Sequence, residues 1–179
     1  MKRRAGLSVA VVGIDGVGKT TLVAGVRAVE PHILVVKVSI HRSRAAARSG
    51  LGWLRSTVHG ARVLLRARQA IRRGEIVLWD RHPFEDRYLR LHGRRVMGRK
   101  RGWLARLAPP IDLLIVLDAP VSHVHGHRPD EDVGRLAAMR ATYLHLAGTM
   151  PSQIVDARQP ADAVRDEVLE ALRRRQAGP

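Results

Sequence analysis

The chain has 179 residues, with 32 Lys and Arg against 16 Asp and Glu, a formal net charge of +16 at neutral pH. That length suits one domain with a real core, and a chain without cysteine has neither disulfides nor thiol chemistry. No stretch is apolar for the length a membrane span needs, and the basic start Met1-Lys2-Arg3-Arg4 meets Asp15 too soon for a signal peptide, so no membrane partner and a cytoplasmic location are expected.

The most specific signal comes early, in LSVAVVGIDGVGKTT from Leu7 to Thr21. Val9 to Val12 reads as a buried parallel strand, and Thr21 to Val29 as a helix stopped by Pro31. Between them Gly13, Asp15, Gly16, Val17, Gly18, Lys19 and Thr20, continued by Thr21, complete a phosphate-binding loop. Glycines at 13 and 18 let the backbone wrap close to an anion, and the helix start aims its free N–H groups at the same point. Lys19 is placed to reach the β- and γ-phosphates of a nucleoside triphosphate, and the Thr20 hydroxyl to ligate the accompanying magnesium. ATP and Mg2+ are therefore the expected cofactors.

Further along, His32 to Ser39 (HILVVKVS) predicts a second strand, and a helix is expected from about Trp53 to Arg73, capped by Gly74. Ile76 to Trp79 follows as a strand closed by Asp80. Residues 83–107 read as helical in parts, with a basic centre, until Pro109-Pro110 breaks them. Ile111 to Leu117 is the next strand, ending at Asp118. Residues 121–130 read as a polar loop, Asp132 to Ala147 as a helix, Ser152 to Val155 as a short last strand, and Pro160 to Arg175 as a final helix. The last helix has Val164, Val168 and Leu172 on one face and Arg173 to Arg175 at its end, where the helix dipole favours cations. This alternation predicts an α/β fold, a doubly wound five-stranded parallel sheet with helices on both faces, in a single domain over residues 1–179 with a short lid near 121–131.

Ligands of such a sheet sit at the carboxyl ends of its strands. Three segments deliver polar residues there: Asp15 in the phosphate loop, Asp80-Arg81-His82, and Asp118. Asp80 and Asp118 both end apolar runs, so either fits the acid that holds magnesium through water. Arg81 favours Asp80, because phosphoryl transfer needs positive charge near the equatorial oxygens.

These residues carry a resemblance. The chain resembles thymidylate kinase and its relatives among the P-loop nucleoside monophosphate kinases nearly end to end. Gly13 to Thr21 meets the family's phosphate-loop pattern, and RRGEIVLWDRH, residues 72–82, its strand ending in Asp-Arg. Leu117-Asp118-Ala119-Pro120 and Val155 to Pro160 are similar to two later elements. The resemblance implies phosphoryl transfer from ATP to a nucleoside monophosphate such as dTMP. It implies that Lys19 and Thr20 hold donor phosphates and metal, that Asp15 faces the acceptor sugar, and that Asp80 and Arg81 sit at the acceptor phosphate. By the same resemblance Arg62 reaches that phosphate from a helix, Arg158 flanks the donor adenine, and Arg128 supplies lid charge over the γ-phosphate. Relatives commonly dimerise, so a homodimer is among the expectations.

The chain departs from the family where the acceptor base is read: SIHRSRAAARSG follows the second strand, Phe84 is the sole phenylalanine, and the lid is short. A kinase of a nucleoside or other small hydroxyl acceptor therefore stays open. So does a nucleic-acid-associated P-loop ATPase, given the charge. Yet the excess is almost all arginine, dispersed through most segments, and 3% aromatics offers few stacking platforms, so nucleic acid is the less favoured partner. His123, His125 and His127 alternate in the lid without a nearby set of fixed ligands, which argues against zinc.

Overall fold

The computed structural model describes residues 6–37, 50–85, 107–126 and 131–178. At its centre lies β1 (Leu7–Val12), buried at every position. It pairs in parallel with β3 (Ile76–Asp80) on one side and β4 (Leu113–Asp118) on the other. With β2 (Leu34–Lys37) and β5 (Ser152–Asp156) the sheet runs β2-β3-β1-β4-β5, all parallel. A strand paired on both edges and covered on both faces has no wet side, so β1 is an apolar run with Ser8 as its one polar residue. Ser8 is satisfied internally: its Oγ accepts from Trp79 Nε1 at 3.0 Å, and its N–H donates to the Asp112 carboxylate at 2.8 Å.

Helices cover both faces. On one side α1 (Lys19–Val29) buries Leu22, Val23 and Val26 and packs beside α5 (Ala161–Ala177), which buries Val164, Val168 and Leu172. Leu78 of β3 points to this side. Its neighbours Val77 and Trp79, one pleat out of phase, face Leu64, Ala67 and Ala70 of α2 (Gly50–Arg72). After β4 comes a short helix α3 (Val121–His125), then α4 (Val133–Ala147), which turns Leu136, Met139, Tyr143 and Leu146 into the core.

Two expectations shift. The second strand begins at Leu34 rather than His32 because the Ile33 N–H closes a turn onto the Glu30 carbonyl at 3.0 Å. The stretch expected to be a polar loop from 121 starts instead as α3, where the Pro120 carbonyl accepts the His123 N–H at 3.0 Å and Val124 is buried. Residues 127–130 of the expected lid lie outside the described residues.

Candidate active site

The phosphate loop is a run of left-handed turns that only glycine adopts easily: φ is +149° at Gly13, +90° at Gly16 and +99° at Gly18. Gly13 is also held by packing, because a Cβ there would stand 2.5 Å from the Leu117 carbonyl oxygen. The loop leads into α1, and together with the ends of β2 and β3 it walls a cavity of about 460 Å³. Asp15, Gly16, Gly18, Lys19, Thr20, Thr21, Lys37, Asp80, Arg81 and Glu131 line it. The cavity thus sits at the carboxyl edge of the sheet, where the topology directs ligands.

Lys19 is nearly buried, and its Nζ lies across the loop, donating to the Gly13 and Ile14 carbonyls at 2.8 Å each, with Asp15 Oδ1 at 3.9 Å. Arg81 Nη2 donates to Asp15 Oδ1 at 2.8 Å. Lys37 stands directly across the ladder from Asp80, and its Nζ approaches Asp80 Oδ2 to 3.3 Å. Glu131 is paired with Arg135 one helical turn on. Each of the three carboxylates on the wall, Asp15, Asp80 and Glu131, therefore has a cation partner.

Behind the wall, residues 82–85 fold into a closed turn. The Glu85 N–H donates to the His82 carbonyl at 3.0 Å, and the His82 N–H donates back to Glu85 Oε1 at 2.8 Å. Tyr143 of α4 gives its hydroxyl to Glu85 Oε2 at 3.3 Å. Burial pushes the Glu85 carboxyl up to about 7, against the opposing pull of Arg81 and Lys19. His82 is wedged between Trp79 and Phe84, ring centroids 4.7 and 5.4 Å away. Its Nδ1 accepts from the Phe84 N–H at 3.1 Å. Burial drives it down to about 4, against an opposing backbone hydrogen bond with Pro109.

Several expected site residues lie elsewhere. Val17 turns its side chain into the core and spends its N–H on the Ile14 carbonyl at 3.3 Å. Arg62 is exposed on α2 and does not line the cavity. Arg158 is exposed in the turn after β5, where it grips Asp156 through Nε and Nη2 and holds that carboxyl down at about 2. Asp118, the rival to Asp80, is off the cavity wall and held by Arg140 through Nε at 2.6 Å and Nη2 at 2.8 Å. Arg128 and His127 lie outside the described residues. Lys37, Glu85 and Glu131 escaped the sequence reading, and only the ladder partner of Asp80 offered a signal for Lys37.

Among the described residues no cluster of three or more His, Asp or Glu is arranged to hold a metal. The donor set nevertheless fits magnesium, which takes one or two carboxylates together with substrate phosphates and water. Thr20 and Asp80 face the same cavity as the phosphate loop.

No protein-family model matches the chain, and no curated protein matches its sequence. Solved structures do match in fold. A deoxyadenosine kinase from M. mycoides with bound dATP superposes with a TM-score of 0.61 at 12% identity, covering 93% of this chain and 99% of that one. The same enzyme with the products dCMP and dCDP gives 0.62 at the same identity and coverage. The fold is that of the P-loop kinases. Among the described residues no helix is long and apolar enough to cross a membrane.

Proposed function

We propose that this chain transfers the γ-phosphoryl group of ATP to a small acceptor, a nucleoside monophosphate such as dTMP. The observation that carries this reading is that the phosphate loop with Lys19 and Thr20 lines one cavity together with Asp80 and the Arg81–Asp15 pair. Lys19 holds the donor β- and γ-phosphates, the glycine loop and the start of α1 present backbone N–H groups to them, and Arg81 holds the acceptor against Asp15. Thr20 and Asp80 would hold magnesium, which when bound neutralises charge on the transferring group. The bond between the γ-phosphorus and its bridging oxygen breaks, a new one forms to the acceptor oxygen, and ADP leaves. Arg128 and the lid, Arg62 at the acceptor phosphate and Arg158 near the donor base belong to this proposal, as do a homodimer and a cytoplasmic location.

The state of the wall carboxylates favours a phosphorylated acceptor. A neutral hydroxyl must lose a proton and needs a base, whereas a phosphate oxygen is already ionised at neutral pH. Asp15, Asp80 and Glu131 are all engaged by cations, so none stands uncommitted as that base. Lys37 and Arg81 meanwhile add positive charge on the acceptor side. The nucleoside kinase remains the second reading, supported by the fold likeness to a deoxyadenosine kinase. The test is a panel of nucleoside monophosphates and nucleosides incubated with labelled ATP. A phosphorylated monophosphate is the expected product; label on nucleosides alone selects the second reading, and ATP turnover that requires DNA or RNA overturns both.

A further inference from the structure

We propose that Glu85 is the positioning residue of this site: by closing the turn that follows Arg81 and anchoring it to α4, its carboxylate sets the Arg81 guanidinium over the cavity. Arg81 is the one non-glycine residue with a left-handed backbone, φ +72°, among the described residues. A side chain in that region is strained, and such a conformation persists only where its surroundings over-determine it. Upstream Arg81 is fixed by β3, whose last residue Asp80 is in register with Val11 and Lys37. Downstream it is fixed by the reciprocal bonds between His82 and Glu85, and the second Glu85 oxygen binds the turn to Tyr143. The result is an arginine whose backbone is held at both ends and whose tip meets Asp15 at 2.8 Å.

Glu85 is almost fully buried and does not line the cavity, so it acts through Arg81 rather than on a ligand. The groups facing it are the Arg81 side chain and the His82 backbone N–H of its own segment, Lys19 of α1 and the Tyr143 hydroxyl of α4. Arg81 and Lys19 are the two cations assigned here to acceptor and donor phosphates, so one buried carboxyl faces both. Its raised proton affinity places its charge change near neutrality. As pH falls through that range the carboxylate is protonated, its attraction for both cations is lost, and Arg81 loses its fixed aim.

The inference rests on the proposed function only for its effect on turnover; the clamp is tested on the ligand-free protein. The Arg81 side-chain nitrogen signals are followed by NMR across neutral pH in the parent, Glu85→Gln and Tyr143→Phe. Glutamine keeps an oxygen for the His82 N–H but cannot ionise. The parent signal should titrate near pH 7, the Glu85→Gln signal should not, and Tyr143→Phe should move the midpoint upward, because the phenol no longer favours the carboxylate. Turnover of ATP with the acceptor found in the panel should rise with pH through the same range in the parent, and Glu85→Gln should lower kcat roughly tenfold without that limb. An Arg81 signal that titrates in Glu85→Gln as in the parent, or a Tyr143→Phe midpoint that does not move, overturns the proposal. A chain that phosphorylates nothing would sink the function and leave the NMR result standing.

Discussion

Asp15 and Arg81 are 66 positions apart in sequence, yet Arg81 Nη2 meets Asp15 Oδ1 at 2.8 Å and joins the phosphate loop to the end of β3. That bond ties two walls of the cavity into one unit, because β1 and β3 are neighbours in the sheet and both turn into the same space.

Lys19→Ala should abolish phosphoryl transfer. It removes the lysine that lies across the loop at the place assigned to the β- and γ-phosphates, at a cost of about 3 kcal/mol or more in the barrier. Single-turnover transfer from labelled ATP measures it, and a variant within twofold of the parent rules out the assignment.

Asp80→Asn and Asp118→Asn should part company. Asp80 faces the cavity, so its loss should lower kcat by roughly tenfold or more. Asp118 is locked to Arg140, whose bonds hold its carboxyl below the usual range. Its replacement should instead cost stability, about 1 kcal/mol for a partly exposed pair, with turnover nearly kept. Equal losses of turnover would remove the preference for Asp80, and a larger loss at Asp118 would mean that the acid of the reaction ends β4 rather than β3.

Arg128→Ala separates a kinase from a polyanion binder. A lid arginine that meets charge only in the transition state should lower kcat by roughly 100-fold and leave ATP affinity unchanged. If the arginines serve a nucleic-acid backbone instead, the variant should keep kcat and reduce the salt slope of duplex binding by about one ion. Turnover, ATP affinity and duplex binding at two salt concentrations distinguish the cases.

Stability against pH should be unusually flat just below neutrality, because two neighbouring groups oppose each other. His82 falls from 6.5 to about 4 on folding, so the unfolded chain binds more protons between those values and acid destabilises the fold. Glu85 rises from 4.5 to about 7, so the folded chain binds more protons there and acid stabilises it. Each slope is on the order of 1.4 kcal/mol per pH unit where its window is open, with opposite sign. Urea unfolding at pH 5 and 6.5 should give nearly equal stabilities for the parent. Glu85→Gln should expose the histidine limb and lose stability toward pH 5, whereas His82→Phe should gain it. A steep slope in the parent that neither variant alters would exclude this pair as its source.

The sequence was most legible where one local segment decides the structure. Residues 7–29 carry strand, loop and helix in a row, and the glycines name the turns they make. The Asp80-Arg81 edge was legible for the same reason, since four apolar residues stop at a charged pair. What escaped depends on partners distant in sequence. Lys37 is an ordinary strand-end lysine until the register sets it across from Asp80. Glu85 looks like a solvated acid in a polar run until Tyr143, 58 positions later, is packed against it. Arg62 and Arg158 rest on the family resemblance alone, since the described fold leaves both exposed and off the cavity wall.

The central place of β1 has a consequence for how the protein comes to exist. Leu7 finds its partner at Ile76, and Val9 a second one at Leu113, so the strand that launches the phosphate loop is made early and paired late. While the ribosome is still completing β3, the loop has sequence but lacks the walls that the ends of β2 and β3 give it. Closing such long loops before any contact repays them is slow, which places refolding in the millisecond-to-second class rather than among the fast helical folders. Nucleotide captured by the native loop should accordingly be a late event in folding, and should slow unfolding more than it hastens folding.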